Sequence, residues 1–291
     1  MALIHLQQVY RPKTVEEAVT ALTPGPSPAK EGRIAALAGG TALVAAGGPD
    51  IGAVVDLSGL DLAYIRVGTK EVRIGAMTPL QALVDAPELG NAAWGILPQA
   101  AWLEAGRNLR LAATLGGTLA TAEPEDPLAV ALLALEAEVI LYAPEQQRLP
   151  LDDFLEGREQ RLADGALIAE VALPLGGAGT AAALARVGRT PRDRPIVCAA
   201  ARLRLVDGRC QAPVLALGGV AGRPIRLRQV EAMIAGKALD EDVLTAAAQA
   251  VVSSVSPPAD YRGSAEYRRA MAGVLARRAL IAAAEMAATA G

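Results

Sequence analysis

The sequence predicts an α+β protein, and three observations predict it. Up to residue 174, apolar runs of strand length alternate with capped segments of helical period, the pattern of small α/β units. Beyond residue 174, three strand-length runs follow one another, and Asp207-Gly208 between the last two suits a tight hairpin. After them come segments of helical period alone.

The first element is a short amphipathic helix over 14–22, opened by a capping box in which Thr14 stands three residues before Glu17. The Pro-, Gly- and Ser-containing stretch 23–32 reads as a loop. A buried strand over 34–37 leads into a first glycine turn, and a strand over 53–57 closes an α/β unit of residues 1–57. A second unit, 58–174, starts with a hairpin of 63–67 and 72–75 about Gly68-Thr69. Thr78 is placed to N-cap a helix running to residue 84, and 95–105 reads as another helix. The stretch 109–113 precedes the second glycine turn, with Arg110 as a basic, strand-ending residue. The run 127–135 is apolar almost all round, which marks a buried helix. A strand over 138–142 and a turn at 150–154 complete this unit. LGGAGT, 175–180, serves as a linker or wide turn into a third unit, 175–291. There, three antiparallel strands (181–187, 197–206 and 212–220) are backed by helices over 227–235, 241–252 and 265–288.

Composition narrows the function. A chain of 291 residues, 52% apolar and carrying a formal charge of −3, buries a large core. No apolar run approaches the roughly 20 residues that span a bilayer, and the N-terminus lacks a charged stretch followed by an apolar one, so neither a membrane span nor export is expected. Near-neutral charge with one Phe, two Trp and five Tyr argues against nucleic acid. The densest basic run, RVGRTPRDR from Arg186 to Arg194, reads either as a solvated loop or as a surface for an anion or a partner. Cys198 and Cys210 cannot build a disulfide framework or a four-cysteine metal site, and they read as reduced thiols of a cytoplasmic protein. His5, the single histidine, has no Ser or Cys partner in view, so no catalytic residue and no metal ligand is assigned.

The chemistry-bearing signal is glycine. Gly39-Gly40 and Gly116-Gly117 lack β-carbons, which allows a backbone with φ > 0 to bring amide N–H groups close to an anion. Either pair alone is also what a tight turn looks like, but two such loops are suited to clamp one pyrophosphate from opposite sides. Neither fits GxxxxGK[ST], and no GxGxxG follows the first strand. Glu123, Glu125 and Asp126 read first as caps for the helix starting near Pro127. Acid/base or metal chemistry, or a hydrogen bond to a sugar hydroxyl, are the alternatives. Any reactive atoms would belong to a cofactor.

Ordered motifs then carry a resemblance over nearly the whole chain. They are YRPKTVEEAVTAL, LAGGT, VVDLSGL, VRIGAMTPLQAL, RLAATLGGTLATAEPEDPLAVALLALEAEV, LIAEVALP, ARVGRT, LALGGV and GSAEYRRAMAGVLARRAL. With them the sequence resembles the FAD-binding medium subunits of molybdenum hydroxylases, the family of the carbon monoxide dehydrogenase medium subunit and the xanthine dehydrogenase flavin domain. The resemblance implies a two-subdomain FAD-binding unit of the vanillyl-alcohol-oxidase/PCMH type, followed by the C-terminal three-stranded antiparallel sheet with helices. FAD is then held between 1–57 and 58–174, with the C-terminal unit closing the isoalloxazine side.

In such proteins a first loop, here Ala38, Gly39, Gly40, Thr41 and Ala42, and a second, here Thr114, Leu115, Gly116, Gly117 and Thr118, contact the pyrophosphate largely through backbone amides. By the same matching, Asp126 stands near an FAD-contacting aspartate, and Ile168 and Arg186 stand where an apolar residue and a cation approach the flavin. The sequence departs from the family at Thr118 and Leu111, where Asn is usual, at Ala42, where Asp or Ser is frequent, and at Glu123, where Asp is usual. The connection 45–53 is also shorter than the typical one.

The implied role is that of an electron-transfer oxidoreductase subunit in a hetero-oligomer with a small iron-sulfur subunit and a large molybdopterin subunit. Electrons would pass from the molybdenum centre through iron-sulfur clusters to FAD and on to an external acceptor. The absence of cysteine clusters from this sequence agrees with that division of labour. Two further readings stand beside it. One is a degenerate, flavin-free structural or assembly subunit, suggested by the polar substitutions. The other is a standalone flavin oxidoreductase, which would need a substrate pocket and an acid/base group of its own.

Overall fold

Residues 5–23, 33–48, 50–143, 145–191 and 193–290 are described by a computed structural model. The loop expected at 23–32 therefore lies, from residue 24 onward, outside the described residues. The chain divides into two units, each assembled from separated stretches: 1–82, 107–121 and 138–173 in the first, 83–106, 122–137 and 174–291 in the second.

In the first unit, β1 (Gln8–Tyr10), β2 (Arg33–Leu37) and β3 (Ile51–Asp56) form a parallel sheet in the order β1-β3-β2. The central strand is buried almost along its length, as a parallel strand covered on both faces must be. Helix α1 (Val15–Leu22) begins as its capping box requires: the Thr14 side chain accepts from Glu17 N at 3.2 Å. The Glu17 carboxylate reaches one residue further back than the usual box, to Lys13 N at 2.7 Å. Ala18 and Val19 of α1 join Val55, Leu57, Leu60, Leu62, Leu167 and Ala169 in one apolar cluster, against which Ala38 packs. Helix α2 (Thr41–Ala46) follows the first glycine turn.

The second sheet of this unit has the order β4-β5-β8-β6-β7, with β4 (Ile65–Val67), β5 (Glu71–Gly75), β6 (Glu138–Ala143), β7 (Glu145–Pro150) and β8 (Leu167–Pro174). The expected β4–β5 hairpin is closed by Gly68 N donating to Glu71 O at 2.9 Å. Three local expectations are corrected here. Thr78 does not cap α3 (Leu80–Asp85): its hydroxyl donates to Tyr64 O and accepts from Tyr64 N, both at 3.0 Å, so it ties the end of one strand to the start of the other. Arg110 ends no strand; it lies in α5 (Arg107–Ala112), buried, with Nε donating to Gln81 Oε1 at 3.0 Å. The turn at 150–154 is the start of α8 (Leu151–Ala163), whose first turn carries Asp152 and Asp153 and whose last carries Arg161, each sign at the helix end that favours it. Helix α6 (Leu115–Ala120) completes the unit.

In the second unit, β9 (Thr180–Val187), β10 (Val197–Val206) and β11 (Arg209–Gly218) form the antiparallel sheet expected from the sequence. A strand of two residues, β12 (Ile225–Arg226), extends it to four in the order β12-β11-β10-β9; it is too short to show a period in sequence. Asp207 and Gly208 have φ of 51° and 71°, the pair of positive values that a two-residue hairpin turn needs. Behind the sheet lie α9 (Arg228–Ile234), α10 (Glu241–Ser254) and α11 (Ala265–Thr289). A β-carbon at Gly273 would stand 2.9 Å from Ala248 O, so this glycine sets how closely α10 and α11 approach. Helices α4 (Ile96–Glu104) and α7 (Pro127–Ala134) also belong to this unit, and all eight residues of α7 are buried, as an apolar helix surface dictates.

Candidate cofactor site

The first glycine loop leaves β2 and starts α2. Gly40 holds φ +71° as the residue before the helix, a left-handed conformation that strains any other side chain. Gly39 is excluded from carrying a side chain for a different reason: a β-carbon there would lie 1.8 Å from the Ala112 carbonyl oxygen and 3.1 Å from Ala113 Cα. No side chain caps α2, and the amides of its first turn, Thr41, Ala42 and Leu43, have no acceptor within the helix. Ala42 is exposed and Ala38 to Thr41 are partly exposed, and among the described residues these N–H groups meet no hydrogen-bond acceptor, an arrangement suited to an anion.

The second loop contributes differently, because its amides are already engaged. Leu115 N donates to Thr78 O at 2.9 Å, Gly116 N to Ala76 O at 2.8 Å, and Thr118 N to Thr114 O at 2.9 Å. Gly117 N is capped by the Thr114 hydroxyl oxygen at 3.2 Å. A β-carbon at Gly116 would meet Ala76 Cβ at 2.7 Å, so this glycine serves close packing against the end of β5. At Gly117 it would stand 3.8 Å from Ala38 Cβ, which brings the two loops into contact. The Thr118 hydroxyl donates to Thr114 O at 3.0 Å and keeps its acceptor capacity on a partly exposed surface. Ala76 also donates to Ala169 O at 2.8 Å, which joins this loop to β8 beside buried Ile168. The structure thus gathers Ala38 to Ala42 with Thr114 to Thr118, and places Ile168 one backbone hydrogen bond away. Ala76 and Ala112 were not legible in sequence, since Ala112 acts through its carbonyl and Ala76 through its carbonyl and a single methyl, which an alanine does not advertise. Replacing Thr114 with alanine should leave Gly117 N uncapped and cost about 1 kcal/mol, read as a fall of about 2–4 °C in melting temperature.

Glu123, Asp126 and Arg186 lie in the second unit. Asp126 occupies the N-cap position of α7 but does not bond its amides. Its Oδ2 instead accepts from Glu123 N at 2.8 Å, and its Oδ1 is buried without a hydrogen-bond partner. The α7 amide at Leu128 is taken by Glu104 Oε1 at 2.6 Å. The capping role expected of the acidic cluster therefore passes to Glu104, which sequence reasoning missed. A signal existed: an acid at the C-terminal end of a helix opposes the helix dipole and needs compensation elsewhere. Glu123 is exposed, whereas Glu125 is buried and pairs with Arg262. Burial pushes the Asp126 carboxyl above the ordinary carboxylate range, against the lowering effects of the Glu123 N–H and Arg194.

Arg186 projects from β9 opposite Cys198, and it donates to Asp193 O at 2.9 Å and to Pro191 O. Arg189 pairs with Asp193 at 3.2 Å, and Arg194 stands 3.9 Å from both Glu125 and Asp126. The described part of the basic run is thus a loop cross-linked to its own unit.

A glycine-lined cradle that presents helix-start amides and admits no β-carbon at Gly39 has the chemistry to hold an anion such as the diphosphate of a nucleotide cofactor, and FAD carries such a group. Residues 5–176 match the family model of the FAD binding domain in molybdopterin dehydrogenase, and residues 182–283 that of the CO dehydrogenase flavoprotein C-terminal domain. The chain is 30% identical over 277 residues to the carbon monoxide dehydrogenase medium chain of Afipia carboxidovorans, covering 93% of this chain and 94% of that one. It is 31% identical over 284 residues to the medium chain from Hydrogenophaga pseudoflava, covering 95% and 96%. The solved carbon monoxide dehydrogenase of Hydrogenophaga pseudoflava that lacks the Mo-pyranopterin moiety of the molybdenum cofactor matches with a TM-score of 0.88 at 30% identity, over 97% of this chain and 98% of that one. The chain belongs to the FAD-binding medium subunits of the molybdenum hydroxylases: it is an oxidoreductase subunit, and its cofactor is FAD.

Proposed function

We propose that this chain is the electron-transfer subunit of a molybdenum hydroxylase complex, working in the cytoplasm with a small iron-sulfur subunit and a large molybdopterin subunit. The observation that carries the reading is the first glycine loop, whose uncapped amides at Thr41, Ala42 and Leu43 suit a pyrophosphate. FAD, when bound, supplies a redox centre able to take electrons from iron-sulfur carriers and give them to an external acceptor. The chain's own residues bind and orient. Gly39 lets the first loop approach the backbone at Ala112, Gly117 leaves room for its Thr114 cap, Gly40 sets the helix start, and the Thr118 hydroxyl offers an acceptor on the second loop. Ile168 offers apolar surface on β8, and the free Asp126 Oδ1 offers an acceptor within the second unit. Arg186 braces the loop after β9 through two carbonyls. Residues 1–57 and 58–174 act as the two FAD-binding portions and 175–291 as the C-terminal domain. The medium-chain names of the relatives support a multi-subunit setting. Both cysteines are free and buried, in keeping with a reducing compartment, and among the described residues no helix is long and apolar enough to cross a membrane.

The test is the visible absorption spectrum of the purified chain, followed by FAD titration of any colourless fraction and by co-purification from cells that also express candidate partner subunits. Flavin absorbance released as FAD on denaturation, and a complex containing both partners, are expected. A colourless protein with no micromolar affinity for FAD would overturn the electron-transfer role in favour of a flavin-free structural subunit.

A further inference from the structure

Helix α5 is held down by a polar side chain rather than by an apolar face. Of its six residues only Arg110 is buried. Its two leucines, Leu109 and Leu111, are 55% and 54% exposed, so no apolar stripe seats the helix, and a helix of under two turns is marginal by itself. The anchor is Arg110, whose Nε donates at 3.0 Å to Oε1 of Gln81, a buried residue of α3. Beside this tie, Leu80 N donates to Ala113 O at 2.9 Å, and Pro79 and Thr114 pair in an isolated antiparallel bridge. All of these residues belong to the first unit. What the end of α5 supplies is a wall for the first glycine loop. The Ala112 carbonyl oxygen and Ala113 Cα are the atoms that leave no room for a β-carbon on Gly39. Thr114, directly after them, caps Gly117 N on the second loop. A shift of α5 therefore moves both the surface on which Gly39 rests and the start of the second loop.

We propose that Arg110, through Gln81, is a positioning residue for the diphosphate of FAD: it fixes the end of α5 and, by way of Ala112 and Ala113, the placement of the first glycine loop. The link to the diphosphate rests on the reading of the glycine loops as its binding site; the anchoring of α5 does not. Arginine suits the task because its planar, always-charged fork carries a donor at Nε, at the height on the side chain where lysine has a methylene. An arginine at this position thus does what an apolar anchor would do less directionally, since a hydrogen bond fixes both distance and angle.

Arg110→Lys keeps the charge and most of the stem but puts a methylene where Nε donates. Titration of the purified variant should give a dissociation constant for FAD raised about tenfold, the worth of one hydrogen bond to a charged group. ADP, which carries the diphosphate without the flavin, should weaken by the same factor, and riboflavin, which carries the flavin without the diphosphate, should bind as it does to wild type. Adding Gln81→Glu to Arg110→Lys supplies an ion pair in place of the lost hydrogen bond and should recover most of the affinity for FAD and ADP. In the free protein, the Val44 amide, which donates to Gly40 O at 2.9 Å, should exchange its hydrogen faster in the single variant than in wild type or the double variant. A lowered melting temperature with wild-type affinities for FAD and ADP would mark Arg110 as structural only and overturn the positioning role. Equal weakening of ADP and riboflavin, or no recovery in the double variant, overturns it as well. If wild type binds neither FAD nor ADP, the diphosphate reading falls by itself, and Val44 exchange then decides the anchoring of α5: faster exchange supports it and unchanged exchange overturns it. Gln81→Asn, which shortens the acceptor's reach by one methylene, serves if Arg110→Lys does not fold.

Discussion

Replacing Gly39 with valine is expected to yield a protein that retains no FAD. The new β-carbon would lie 1.8 Å from the Ala112 carbonyl oxygen and 2.6 Å from its carbon, and both atoms are backbone that cannot rotate aside. One loop must move, at an overpacking cost of about 1–3 kcal/mol. Movement of the first loop carries with it the left-handed Gly40 and the open amides of Thr41, Ala42 and Leu43. Hydrogen bonds to a charged group are worth about 1.5–3 kcal/mol each, so losing two weakens FAD binding by about 100-fold or more. Flavin absorbance of the purified variant and titration with FAD measure it. Gly222→Ala is the matching control, because a β-carbon there meets nothing within 4 Å. Full flavin occupancy in the Gly39 variant would remove the first loop from the binding site.

The second large effect falls on stability. Arg268 is 2% exposed, and its guanidinium donates to Ile196 O at 2.6 Å, Gly219 O at 3.1 Å and Asp260 Oδ1 at 2.7 Å. It therefore joins the start of β10, the turn after β11 and the loop before α11. Arg268→Met preserves the apolar stem but leaves two carbonyls and a carboxylate oxygen without that donor. Leaving the two buried carbonyls without their donor costs about 1–3 kcal/mol each, a fall of roughly 10 °C for a unit of this size. Thermal or urea denaturation reads it directly. A shift of less than about 2 °C would show that water or Arg262 takes over these acceptors.

Elements whose cause is local were legible in the sequence. The all-apolar α7, the Asp207-Gly208 hairpin, the Thr14 cap of α1 and the long C-terminal helix follow from period, turn conformation and hydroxyl capping, each visible within a few residues. Helix α8 was not, because only Leu151, Phe154 and Leu155 of its thirteen residues are buried, too thin an apolar stripe to announce a helix. Thr78 looked like a cap because hydroxyls cap helices, yet its neighbour across the sheet, Tyr64, offered both a donor and an acceptor. Arg110 looked like a strand end because its burial and its partner Gln81 are set by packing.

The candidate site divides the same way. Both glycine pairs stood out, since a missing β-carbon is a property of the residue itself. What each pair makes room for did not, since Ala112 acts through a backbone carbonyl and Ala76 through one methyl and a carbonyl, groups too common in this sequence to stand out.

By itself, then, the sequence determined the α+β class, most of the elements, the two glycine loops and the family, because period, turn chemistry and ordered motifs are written in neighbouring residues. Only the tertiary structure decided that α4 and α7 belong with the C-terminal sheet, that the second loop's amides are satisfied internally while the first loop's stay open, and that Glu104 displaces Asp126 as the cap of α7. The physical reason is that each of these depends on which donor, acceptor or apolar face packing brings within about 3–4 Å, and residues far apart in the chain carry no local mark of that meeting.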